Sequence, residues 1–237
     1  MSVSSIPYRL RLADRFYLAA HSGHEQLSAR IGLVPLALGC AGALLTELLS
    51  AGLVRVWTTV APRSEALDSL SGPDDFLNRL LLRELDTDPE MELATCVEYL
   101  AAQAASKVRC RLQLEDVLEE DLVQQSRWRG GGLHPVWRMR HALQGANPET
   151  NLLALLQSPG PILGGTGMLT HSSYVDEAVL AALFQGTGLL SCLDLENIQH
   201  RTANQRITSW RERLPAGPRQ IVSSVETATA AWAMTPR

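Results

Sequence analysis

The chain has 237 residues, 46% hydrophobic, 5% aromatic and 19% charged, with 21 basic against 25 acidic side chains for a net charge of −4. An ordinary apolar fraction and only four cysteines exclude a disordered, collagenous or disulfide-stapled chain, and this length supports a real hydrophobic core. The mild average hides alternating blocks: residues 1–64, 65–121, 122–147, 148–196 and 197–237 carry +3, −10, +4, −5 and +4. Such blocks describe surfaces that the average conceals.

In chain order, Leu10, Leu12, Phe16, Tyr17, Ala19 and Ala20 predict a short first helix that stops at Ser22-Gly23. The N-terminal residues lack an apolar run after their positive charges, so no secretory signal is predicted. Ile31 to Leu45 is the most apolar run, too short for a bilayer span. It predicts a buried core helix with Pro35 in its first turn, Glu47 near its end and Gly52 as its stop. Leu53 to Val60 alternates and is β-branched, predicting one arm of a peripheral hairpin. A loop over 62–73 hands over to a helix near Asp74, with Asp74 and Asp75 favourable in its first turn.

Two amphipathic helices are then expected, Glu90 to Ser106 and Leu112 to Gln125, the second carrying Glu115, Asp116, Glu119, Glu120 and Asp121 as a solvated acidic face. The stretch RWRGGGLHPVW reads as two short arms around a Gly-rich tip, followed by a helix from about Pro135. Further helices are expected near 148–157, 173–185, 198–213 and 218–234, with a loop at 158–167. There is no internal repeat or low-complexity linker. The fold class expected is mainly α: one domain over 1–237, a helical bundle with small peripheral β-hairpins.

Cys40, Cys96, Cys110 and Cys192 are far apart with no C-x-x-C pair, which predicts buried free thiols and a cytoplasmic protein. No metal and no cofactor are expected. His21 and His24 straddle a glycine rather than forming H-E-x-x-H, and Gly164-Gly165-Thr166-Gly167 lacks the lysine of a nucleotide loop. Lys107 is the only lysine beside 20 arginines, a bias typical of a GC-rich bacterial genome. Arginine also grips phosphate bidentately, as lysine does not.

The stretch that carries most information is 122–147, free of acidic residues, where Arg127, Arg129, Arg138 and Arg140 interleave with Trp128 and Trp137. Guanidinium groups suit anionic headgroups, and tryptophan suits the membrane interface. Pairing of the same arginines with the acidic 65–121 block is the competing reading. A nucleic-acid partner is not expected from an acidic protein without a recognised binding motif.

Several stretches together resemble the Golgi phosphoprotein 3 family. These are LRLADRFYLAAHSGHEQL (10–27), GCAGALLTELLSAGLVRV (39–56), Leu122-Val123 followed by His134-Pro135, and VSSVETATAAWAM (222–234). The resemblance implies a helical domain with peripheral hairpins and, in eukaryotic members, binding of phosphatidylinositol 4-phosphate at a membrane. That pocket's Trp and Arg fall here at Gly32 and Ala41, and its later Arg pair near Leu112 and Glu115, so none of the four is matched. Arg109 and Arg111 lie close enough to replace the lost pair.

Two functions follow as expectations. The first is peripheral membrane binding of phosphoinositide-like anionic headgroups by Arg109, Arg111, Arg127, Trp128, Arg129, Trp137, Arg138 and Arg140. The second is a bacterial enzyme of specialised metabolism, a cyclase or dehydratase acting on a small apolar polyketide or isoprenoid, drawing on Asp14, His21, His24 and Glu47 and needing an enclosed apolar pocket.

Overall fold

A computed structural model describes residues 10–22, 26–62, 76–88, 91–124, 133–139, 172–193 and 195–235. The described residues form seven α-helices: α1 (Leu12–Ala19), α2 (Leu33–Ser50), α3 (Phe76–Leu85), α4 (Leu93–Leu114), α5 (Ser172–Gly186), α6 (Asn197–Glu212) and α7 (Ala216–Met234). Three antiparallel two-stranded sheets accompany them: β1 (His21–Ser22) with β2 (Ser28–Ala29), β3 (Val54–Val56) with β4 (Val60–Pro62), and β5 (Leu118–Gln124) with β6 (Leu133–Met139). The mainly helical fold with small hairpins is the one expected.

α2 is the axis of the fold, packed against α1, α4, α5 and α7. It is the one described helix long and apolar enough to cross a membrane on length and composition. Twelve of its 18 residues are nevertheless buried in the fold, which makes it a core helix. Two glycines let its neighbours approach. A Cβ on Gly39 would stand 2.0 Å from Phe16 Cζ, and one on Gly42 would stand 2.6 Å from Val225 Cγ2. Phe16 in turn meets Phe184 edge to face, with ring centroids 5.9 Å apart. The helix stops at Gly52, whose φ of 71° only glycine adopts cheaply. The Gly52 and Leu53 N–H groups then donate to the Leu49 and Leu48 carbonyls, both at 2.9 Å, a Schellman stop.

The same stop corrects the expected boundary in the acidic region. Instead of two helices broken between Ser106 and Leu112, α4 runs unbroken from Leu93 to Leu114. It ends where Asp116, at φ 57°, donates its N–H to Gln113 O and Val117 donates to Leu112 O. The following acidic residues lie in β5 and not in a helix, so Glu119 and Glu120 fall on opposite sides of the strand and make no common helical face. Pro135 likewise starts no helix. It lies in β6 opposite Leu122, in a two-stranded ribbon that tolerates a residue without a donor. The stretch 53–60 is not a single arm either: it holds β3, the turn through Trp57 and Thr58, and the first residue of β4. Asp74, Asp75, the helix expected at 148–157 and the loop at 158–167 lie outside the described residues.

Salt bridges fasten the outer helices: Arg15 to Glu177 (2.7 Å) joins α1 and α5, Lys107 to Glu84 (2.6 Å) joins α4 and α3, and Arg211 to Glu226 (2.5 Å) joins α6 and α7.

Candidate functional site

The C-terminal half of α4 holds two arginines two positions apart, and residues at that spacing leave a helix in different directions. Arg111 points inward and is 7% exposed. Its Nε and Nη2 both lie 2.8 Å from Asp14 Oδ1, while Nη1 reaches Glu47 Oε2 at 2.8 Å and Nη2 reaches Glu47 Oε1 at 3.1 Å. Each carboxylate also accepts a backbone N–H, Asp14 Oδ2 from Arg11 (2.9 Å) and Glu47 Oε1 from Ala13 (2.7 Å). The group therefore locks α1, α2 and α4 together around one cation and two anions. The Cys40 thiol beside it is pushed far upward, chiefly by burial and then by the Asp14 charge.

Arg109 points the other way, and no carboxylate pairs with it among the described residues. Its guanidinium carbon stands 4.6 Å from the centre of the Trp137 ring, a cation–π contact from α4 to β6. Its charge is also near the Tyr17 hydroxyl, where it opposes the upward push of burial. Tyr17 stacks near His21, with centroids 4.4 Å apart, and His21 Nδ1 donates to Tyr17 O at 2.7 Å. Burial raises the Tyr17 hydroxyl and depresses His21, with the Arg109 charge depressing His21 further. The Leu27 N–H donates to Trp137 O at 2.8 Å, so the β1–β2 hairpin is attached to the same strand.

Of the residues singled out in the sequence, Arg109 and Trp137 come together where α4 meets β6, and Arg111 turns away into its ion pairs. Arg138 is exposed and stands in register with Glu119, so a basic residue of 122–147 does face the acidic block, and neither is without a partner. Arg127, Trp128, Arg129, Arg140 and His24 lie outside the described residues. No group of three metal-binding side chains occurs among the described residues.

Asp14 and Glu47 are held by Arg111, and neither they nor His21 line the open apolar groove of about 420 Å³ at the C-terminal end of α2. That groove is bordered by Leu49, Val54, Val56 and Pro218, with Arg55 as its only ionisable side chain. Cys110 and Cys192 are exposed, contrary to the expectation of four buried thiols; Cys40 and Cys96 are buried, and burial raises Cys96 to about 12. Sequence reading missed Tyr17 and the Arg111 triad. The available signal was Asp14 and Glu47 inside apolar helices, where a buried charge demands a partner.

No curated protein matches the chain. A family profile described as Golgi phosphoprotein 3 (GPP34) does match it, over residues 12–228. With nearly its whole length covered, from α1 into α7, the chain belongs to the Golgi phosphoprotein 3 family.

Proposed function

We propose that the protein binds anionic, phosphoinositide-like lipid headgroups peripherally at the cytoplasmic surface of a membrane, through Arg109 and the β5–β6 hairpin. The observation that carries this reading is the contrast between the two α4 arginines. Arg111 is neutralised by two carboxylates. Arg109, half-buried, lies against the Trp137 face and near the Tyr17 phenol and pairs with no carboxylate among the described residues, so an external anion completes its environment. Trp137 beneath it suits the headgroup zone, where one side of the ring is apolar and the other wet. Arg138, Arg127, Arg129 and Arg140 belong to the same or adjoining sequence and supply further charge. Arg111 is left out of the contact because its guanidinium is already satisfied.

Flotation with phosphatidylcholine vesicles, with and without phosphatidylserine or phosphatidylinositol 4-phosphate, tests this. Association is expected only with the anionic vesicles and falls as salt is raised. Arg109→Ala weakens it roughly fivefold, the share of one arginine near an anionic leaflet. Absence of flotation at low salt, or unchanged flotation of both Arg109→Ala and an alanine replacement of Arg127, Arg129, Arg138 and Arg140, overturns the proposal.

A further inference from the structure

Beside the Arg109 site stands a second group able to carry positive charge. The His21 ring, half-buried, lies with its centroid 4.4 Å from that of Tyr17, whose hydroxyl is near Arg109. The β1–β2 hairpin that carries His21 is tied down at several points. Arg30 donates from its backbone N to Ala20 O at 2.8 Å and from Nε to His21 O at 3.2 Å. Leu27 N donates to Trp137 O at 2.8 Å, and Trp137 is the ring under Arg109. His21, Tyr17, Arg109 and Trp137 therefore form one cluster contributed by β1, α1, α4 and β6.

The hydrogen bond of the ring fixes where it titrates. Tyr17 O can only accept, so Nδ1 carries a proton whether His21 is neutral or charged, and the 2.7 Å bond is kept in both states. Protonation takes place at Nε2 and adds a full charge without breaking the contact that orients the ring. Without an anion the neutral form is favoured, first because the ring is buried and also because Arg109 repels a second cation, with the Tyr17 carbonyl opposing both. An anion held by Arg109 offsets that repulsion, and by linkage a proton on His21 strengthens the hold on the anion.

The titratable and charged groups that the described elements bring to His21 are Tyr17 from α1, Arg109 from α4 and Arg30 from the segment after β2. The residues joining β1 to β2, His24 and Glu25 among them, lie outside the described residues. A carboxylate on that side changes the pH at which His21 becomes charged, not the sign of its effect on an anion.

We propose that His21 is a proton-controlled second cation of the headgroup site, so that the protein holds an anionic membrane more tightly in mildly acidic solution than at neutral pH. This rests on the lipid reading above and adds its regulation. Phosphatidylglycerol is a suitable probe, because its phosphodiester keeps one negative charge across the window. Wild type and His21→Gln are floated with phosphatidylcholine–phosphatidylglycerol vesicles at about pH 7.5 and about pH 5, with circular dichroism reporting folding at each. Wild type is expected to partition up to about fivefold more strongly at the lower pH, the share of one added cation near an anionic leaflet. His21→Gln is expected to match wild type at the higher pH and to gain less than about twofold at the lower one, whereas His200→Gln in α6 keeps the full gain.

A second measurement needs no variant. The His21 ring of wild type is titrated by NMR with and without dihexanoyl phosphatidylglycerol, and the lipid is expected to move the midpoint upward by about 0.7 pH units, the same fivefold factor read from the proton's side. Equal flotation of wild type at the two pH values, a gain that His21→Gln keeps, or a midpoint that the lipid leaves in place overturns the inference while headgroup binding stands. If the variant is unfolded at either pH, the NMR titration decides. If wild type floats at neither pH, both readings fail.

Discussion

Removing Arg111 tests the architecture most directly. In Arg111→Met the hydrocarbon of the side chain is kept while the cation between Asp14 and Glu47 is lost. Asp14 is fully buried and Glu47 nearly so, and the backbone N–H of Arg11 stays bonded to the one and that of Ala13 to the other. Breaking a buried ion pair from one side typically costs 3–5 kcal/mol, because the remaining charge stays uncompensated; here two like charges are left facing each other. We expect a loss of about 3–5 kcal/mol, equivalent to a fall in Tm of roughly 6–20 °C for a chain of this size. Arg111→Lys keeps the charge but loses the planar fork that spans both carboxylates, and is expected to cost about 1.5–3 kcal/mol. Urea unfolding followed by circular dichroism reads both values as a shift in midpoint at constant slope. A loss under about 1 kcal/mol for the methionine variant, or a lysine variant as stable as wild type, would refute the view that this guanidinium locks α1, α2 and α4.

Three other expectations concern packing, pH and thiols. Gly39→Ala gains up to about 1 kcal/mol of helix propensity, yet its Cβ would collide at 2.0 Å with a Phe16 ring backed by Phe184. The collision dominates, so net destabilisation of about 1–3 kcal/mol is expected in the same assay, and a stabilised variant contradicts the close α1–α2 approach. Because His21 is depressed below 6.5 in the fold, the neutral ring is favoured there. Its share of stability is complete above pH 6.5 and is lost as the pH falls through its folded pKa. His21→Gln should flatten the stability–pH curve in that window, and an NMR titration placing His21 above 6.5 would contradict it. In the native protein Cys110 and Cys192 should react rapidly with an aromatic disulfide at neutral pH, whereas Cys40 and Cys96 react only on unfolding. Four equally fast thiols would show the burial to be wrong.

Long helical periods were readable in the sequence. The apolar cylinder of α2 with its Gly52 stop, and the helices α5, α6 and α7, lie within two residues of where periodicity places them. The misreading at 112–125 has a local cause: LEEDLVQ is acidic and contains a single β-branched residue, so it scores as an amphipathic helix, and only pairing with β6 makes it a strand. The signal against a helix was Asp116, a short polar residue able to take the left-handed conformation that ends α4. The site was half legible. Composition drew attention to Trp137 and the family resemblance to Arg109 and Arg111, but that arginines two positions apart serve opposite faces depends on which way α4 is turned. That rotation is set by Val108 and Leu112 entering the core, and no linear spacing records it.

The separation of Arg109 from Arg111 by about 3 Å along the helix axis has an evolutionary consequence. One position keeps the chain folded and the other is open to the outside. Substitutions at 109 can therefore change what this face presents without crossing the stability threshold, while 111 is closed to such change. A scaffold that divides these duties between two faces of one rigid rod can keep its shape while its descendants change their surface.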